Sequence, residues 1–191
     1  YESRKTGQTS QTVTMLATSF LNLAAECEEL SSKSSAWKEH AGTKPTGRVT
    51  EENLRNLEFR FHNLQSLYDT YVSTSEVELL DPELPTLRGH ITVVFHLLKT
   101  GTSLAHYYER HVSTEPSPEQ TAPAPLVDAA ELLRILMEYS VFFAVQYIQS
   151  AKHLCHQMLK RYAEVGRIEL PVPRYRGFHV RPSTLISKIV H

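Results

Sequence analysis

Apolar residues recur at intervals of three and four along most of this chain, glycine is scarce, and the prolines cluster in connections. That periodicity is the strongest constraint on the fold, because it lines one face of an α-helix and would scatter side chains over both faces of a strand. The first such run is Val13, Leu16, Phe20, Leu23, Cys27 and Leu30. Serines and lysines then lead to the loop-like HAGTKPTGR.

The second helix announces its start in VTEENL. Thr50 can cap free N–H groups, Glu51 and Glu52 sit where the helix dipole favours negative charge, and Val49 can staple onto Leu54. Leu54, Leu57, Phe61, Leu64, Tyr68 and Tyr71 continue its stripe. The turn ELLDPELP opens a third helix, striped by Leu87, Ile91, Val94, Leu98, Gly101, Ala105 and Tyr108, whose first turn tolerates proline. STEPSPEQTAPAP, residues 113–125, is a connector that cannot be regular helix. From Leu126 to about Val165 there is no proline or glycine, which predicts one helix of roughly 60 Å, apolar nearly all round in its middle. The expected fold is all-α, an up-down four-helix bundle over residues 1–166, with a dimer through the long helices as a close variant.

Hydrophobic residues make up 41% of the chain and charged residues 21%, enough for a real core. A net charge of −1 argues against nucleic-acid binding, which needs a basic field. Cys27 and Cys155 fit no CxxC pattern and read as buried thiols of a reducing compartment. The opening YESRKTGQTS lacks the apolar core of a signal peptide, and its first residue is Tyr, so residues upstream are expected. The most apolar run, Tyr139 to Ile148, is shorter than the ~20 residues a bilayer requires. A soluble, cytoplasmic protein without membrane insertion is expected.

Ten histidines include several at ligand-like spacing. Glu58 and His62, His106 and Glu109, and His153 and His156 around Cys155 each share a helix face, as carboxylate–histidine sites in bundles require. None forms the paired Glu-x-x-His arrangement of a di-iron site, and the expectation is solvated faces and ordinary pairs, with no metal and no cofactor. The aromatics Tyr107, Tyr108, Tyr139, Phe142, Phe143 and Tyr147 read as core. Trp37 carries no motif.

The ending differs in character. Gly166 can end the long helix. Ile168, Leu170 and Val172 alternate with Arg167, Glu169 and Pro171, a short edge-strand signal. Gly177 permits a turn, and Pro182 suits the start of a helix whose apolar face is Leu185, Ile186, Ile189 and Val190. A histidine between strand and helix, at His179, faces free N–H groups and the positive end of a helix dipole, with Arg181 as a permanent cation. That set suits phosphoryl transfer to a ring nitrogen.

RGFHVRPSTLISKIV resembles the active-site segment of HPr, the histidine-containing phosphocarrier of the bacterial phosphotransferase system. Gly177, His179, Arg181 and Pro182 match the family's pattern, while Phe178, Val180 and Ser183 depart from it. The resemblance covers residues 167–191 and implies the first strand and partial first helix of an α+β domain, so that a longer gene product is expected. It implies His179 as phosphoryl acceptor, with Val180, Arg181 and Pro182 around the phosphoryl group. It also implies an Enzyme I-like donor and a downstream acceptor protein as partners, and a carrier rather than a turnover enzyme. The competing expectations are a helical interaction protein whose HPr-like end accepts no phosphate, and a metal-binding bundle using His106, Glu109, His153 and His156.

Overall fold

The computed structural model describes residues 2–39, 49–112 and 126–162, and every regular element among them is helical. Helices α1 (Glu2–Glu26) and α2 (Glu28–Glu39) form one rod interrupted at Cys27. There the backbone N–H reaches both Leu23 O and Ala24 O at 3.2 Å, a shared bond that marks a local departure from regular α-geometry. Helix α3 (Glu51–Tyr71) is followed by the short α4 (Glu76–Leu80) and then α5 (Glu83–Tyr107), which runs on into a π-helical turn at Tyr108–Val112. The last rod starts as α6 (Ala129–Ile135), passes through a second π-helical segment (Leu136–Val141) and finishes as α7 (Phe142–Tyr162).

Contacts between the rods fix their directions. His106 and Arg88 of α5 meet Glu51 and Asp69 of α3, at 2.9 and 2.7 Å. Arg161 of α7 pairs with Glu83 at the start of α5. Ser10 of α1 donates to Tyr162 O at 2.8 Å, and Lys152 of α7 reaches Glu28 at 3.3 Å. Arg60 of α3 pairs with Glu26 of α1. Each rod is therefore antiparallel to the two it packs against, giving four passes up and down.

The core is what the three–four spacing dictates. Val13, Leu16, Phe20, Leu23, Cys27 and Leu30 are all buried, as are Leu54, Leu57, Phe61, Leu64 and Tyr68 on α3 and Leu87, Ile91, Val94 and Leu98 on α5. Phe20 and Phe61 meet edge to face, with ring centroids 5.9 Å apart, a geometry that satisfies the ring quadrupoles. Helix starts carry the expected caps. Thr50 Oγ1 accepts from Asn53 N at 3.3 Å beneath buried Val49 and Leu54, and Asp128 accepts from Ala130 N and Glu131 N at 2.9 and 3.0 Å.

The Ser- and Lys-rich stretch after Leu30 is helix α2, with Ser34 buried. Three expectations are corrected. Tyr71 lies outside the α3 stripe at 65% exposure, and Val72 occupies the core instead, because the stripe advances by four at that turn. ELLDPELP opens on the last three residues of helix α4, which is capped by Ser75, before Pro82 leads into α5 with φ −67°, its preferred value. The last rod begins only after Asp128 and is not buried all round: Tyr139, Phe143 and Tyr147 remain 54%, 40% and 38% exposed along one side.

The second π segment has a clear packing role. It turns Ser140 inward, where its hydroxyl donates to Leu97 O at 2.6 Å. A Cβ at Gly101 would lie 2.6 Å from that same Oγ, so the close approach of α5 and the last rod requires glycine there.

Candidate functional site

His179, Val180, Arg181 and Pro182, with the expected strand at 167–172, lie outside the described residues. The structure instead describes the end of the bundle from which that segment departs. There α7 finishes against the start of α5. Asp81 is buried, its Oδ1 accepts from Glu83 N at 2.9 Å, and its Oδ2 lies 3.5 Å from Arg161 Nη2. Arg161 also pairs with Glu83, and its guanidinium lies over the Tyr162 ring at 5.8 Å. Burial, and then the Asp81 carboxylate, raise the Tyr162 phenol above its usual range, so it stays protonated and can donate. With Ser10 bonded to Tyr162 O, the last turn of α7 is held from two sides. Sequence reasoning missed this cluster. Asp81 beside Pro82 signals a helix start, but no local pattern says that Arg161 returns to meet it.

Beside this end lies α4, held by polar contacts. Glu78 accepts from Tyr68 Oη at 2.8 Å and from Thr74 N at 2.7 Å, which ties down Thr74 in the left-handed region at φ 63°. No residue of α4 is buried, and Leu79 and Leu80 are 85% and 63% exposed.

At the opposite end, Glu51 gathers a charged network. Arg55 donates to Glu51 at 2.6 Å, His106 Nδ1 lies 2.9 Å away and Arg110 4.0 Å away, while Glu109 accepts from Glu51 N at 2.8 Å. Hydrogen bonds from Arg55 first, then from His106, hold the Glu51 carboxyl below its ordinary range. It is an ionised anchor between α3 and α5 and is unsuited to general-acid chemistry.

The ligand-like histidine spacings do not converge. His106 and Glu109 both serve the Glu51 network. His62 is exposed with its ring 5.3 Å from Phe95. Cys155 points into the core, whereas His153 and His156 are exposed, and His153 contacts Gln157 at 2.9 Å. Among the described residues no group of three or more His, Cys, Asp and Glu could hold a metal ion. Burial pushes the Cys27 and Cys155 thiols up to about 12, which removes both as nucleophiles near neutral pH. His90 packs edge-on against Tyr147 at 5.6 Å, and burial lowers its pKa. A cleft of about 270 Å³ lined by Glu26, Glu29, Leu30, Asn53, Asn56 and Leu57 is small for a ligand pocket.

The described residues thus form an all-α bundle of four antiparallel passes, and no helix among them is long and apolar enough to cross a membrane. No protein-family model matches the chain, and no curated protein and no solved structure matches it.

Proposed function

We propose that the chain is part of an HPr-related phosphocarrier in which the helical bundle is an interaction or regulatory module and His179 accepts a phosphoryl group. One observation carries this reading: Gly177, His179, Arg181 and Pro182 stand in the order and spacing of the HPr active-site segment that they resemble. The neutral imidazole, well represented at pH 7 for a group with an ordinary pKa of about 6.5, supplies a ring-nitrogen lone pair. That nitrogen attacks phosphorus, the N–P bond forms as the bond from phosphorus to the donor breaks, and the electron pair leaves with the donor. Arg181, and the N–H groups at a helix begun by Pro182, balance the charge that arrives. The reverse steps pass the group to a downstream acceptor. An Enzyme I-like protein is the donor in this reading, and the cytoplasm is its compartment. Among the described residues, Cys27 and Cys155 are buried, and Glu51 and Glu83 are held in ion pairs.

The test is phosphoenolpyruvate-dependent labelling of the intact gene product by a cognate Enzyme I, with His179→Ala beside it. An acid-labile label on the parent that is lost in the variant is the expected result. A folded parent that takes no label overturns the reading.

A second reading, a helical interaction protein whose HPr-like end is inert, is favoured by the exposed stripe of Tyr139, Phe143 and Tyr147. A two-fold axis across Phe143 would set Tyr139 of one copy against Tyr147 of the other, as an isologous dimer demands. Sedimentation of the parent against Phe143→Glu separates the cases.

A further inference from the structure

Helices α3 and α5 lie antiparallel in a register that their contacts fix one after another. Asp69 meets Arg88 at 2.7 Å, the His62 ring centroid lies 5.3 Å from that of Phe95, and Glu51 meets His106 at 2.9 Å. Each step back along α3 is matched by an equal step forward along α5, so Gln65 faces Thr92 between the first two of these contacts. Gln65 Oε1 and Thr92 Oγ1 are both buried, and neither has a hydrogen-bond partner among the described residues. We propose that this pair is a binding site for one water molecule, which accepts from the Thr92 hydroxyl, donates to Gln65 Oε1 and so ties α3 to α5. The site is independent of whether His179 carries phosphate.

Two features of the pair point to a bound water. Inside a helix, a threonine or serine hydroxyl can turn back to the carbonyl four residues before it. Thr70, Thr100, Thr102 and Ser103 all do so, at 2.7, 3.0, 2.9 and 3.1 Å. Thr92 makes no such bond, so its donor is left for a group outside its own helix. Across the seam the chemistry is complementary, because a hydroxyl can donate and an amide oxygen can only accept. The two atoms do not bond each other directly, and a buried polar group without a partner is costly. One water answers both, and two polar partners are enough to hold it. The Arg88–Asp69 pair and the His62–Phe95 contact bound the site one turn away on either side. Sliding one helix along the other would part the two oxygens, so the bridge also holds the register.

The experiment uses the full chain. A high-resolution crystal structure is expected to show one ordered water about 2.7–3.2 Å from both Gln65 Oε1 and Thr92 Oγ1. A direct hydrogen bond between the two side chains, or a dry seam, overturns the proposal. Urea unfolding of Gln65→Met, Thr92→Val and the double variant supplies a second reading. Each single change strands the other polar group, so each is expected to lower the unfolding midpoint. The double variant strands neither, and its unfolding equilibrium constant should be about fivefold or more below the product of the two single effects. Losses that simply add overturn the bridge.

Discussion

Replacing Gly101 by alanine should destabilise this protein, although the same change in a helix interior ordinarily stabilises by about 1 kcal/mol. The new Cβ would sit 2.6 Å from Ser140 Oγ, well inside contact distance, while the next nearest atoms, on Leu54 and Leu136, are at ordinary distances of 3.5 and 3.6 Å. Ser140 is 1% exposed and donates to Leu97 O at 2.6 Å, so it cannot rotate away without leaving a buried hydroxyl unpaired. That loss costs about 1–3 kcal/mol, and residual overpacking adds about 1 kcal/mol. Against the helix-propensity gain the net is a loss of about 1–3 kcal/mol, or a melting temperature lower by about 2–4 °C per kcal/mol for a chain of this size. Urea unfolding followed by far-UV circular dichroism measures it. The decisive comparison is in a Ser140→Ala background, where the colliding atom is gone and Gly101→Ala should become stabilising by about 1 kcal/mol. If Gly101→Ala stabilises equally in both backgrounds, the hydroxyl does not hold the two rods together in the way described.

Two further outcomes are expected. Because burial pushes Cys27 and Cys155 up to about 12, a thiol reagent at pH 8 should label neither in the native protein and both after unfolding, and rapid native labelling would contradict the burial. The Glu51 carboxyl is held below its ordinary value of 4.5, chiefly by Arg55. Its contribution to stability is present above that value and is lost as pH falls through the lowered one, so Glu51→Gln should flatten the acid limb of a stability–pH profile below about pH 4.5 and leave its neutral limb unchanged in shape.

Much of the bundle is legible in local sequence because its cause is local. The stripes of Val13 to Leu30 and Leu54 to Tyr68 need only a 3.6-residue period and a partner face. Thr50 and its two glutamates mark a helix start through groups within one turn of each other. Interactions between distant residues leave no such trace. Nothing near Arg161 announces Asp81, and nothing near Gly101 announces Ser140, since each pairing exists only after the passes have packed. The π segment contains Tyr139 and shifts Phe143 and Tyr147 after it around the axis, so the period alone could not tell that these three would stay outside. The candidate phosphoryl site was read from the chemistry of His179, Arg181 and Pro182, and it lies outside the described residues.

The hydrogen bond between Ser10 and Tyr162 O has a consequence for protein architecture. A helical spacer with an odd number of passes separates whatever is attached to its two ends by its full length. With four passes, residues 10 and 162 are neighbours, so the module works as a bracket. It could be spliced into a surface loop of a host protein without prising the loop's ends apart, and donor and acceptor fluorophores attached at those two positions would report near-maximal energy transfer.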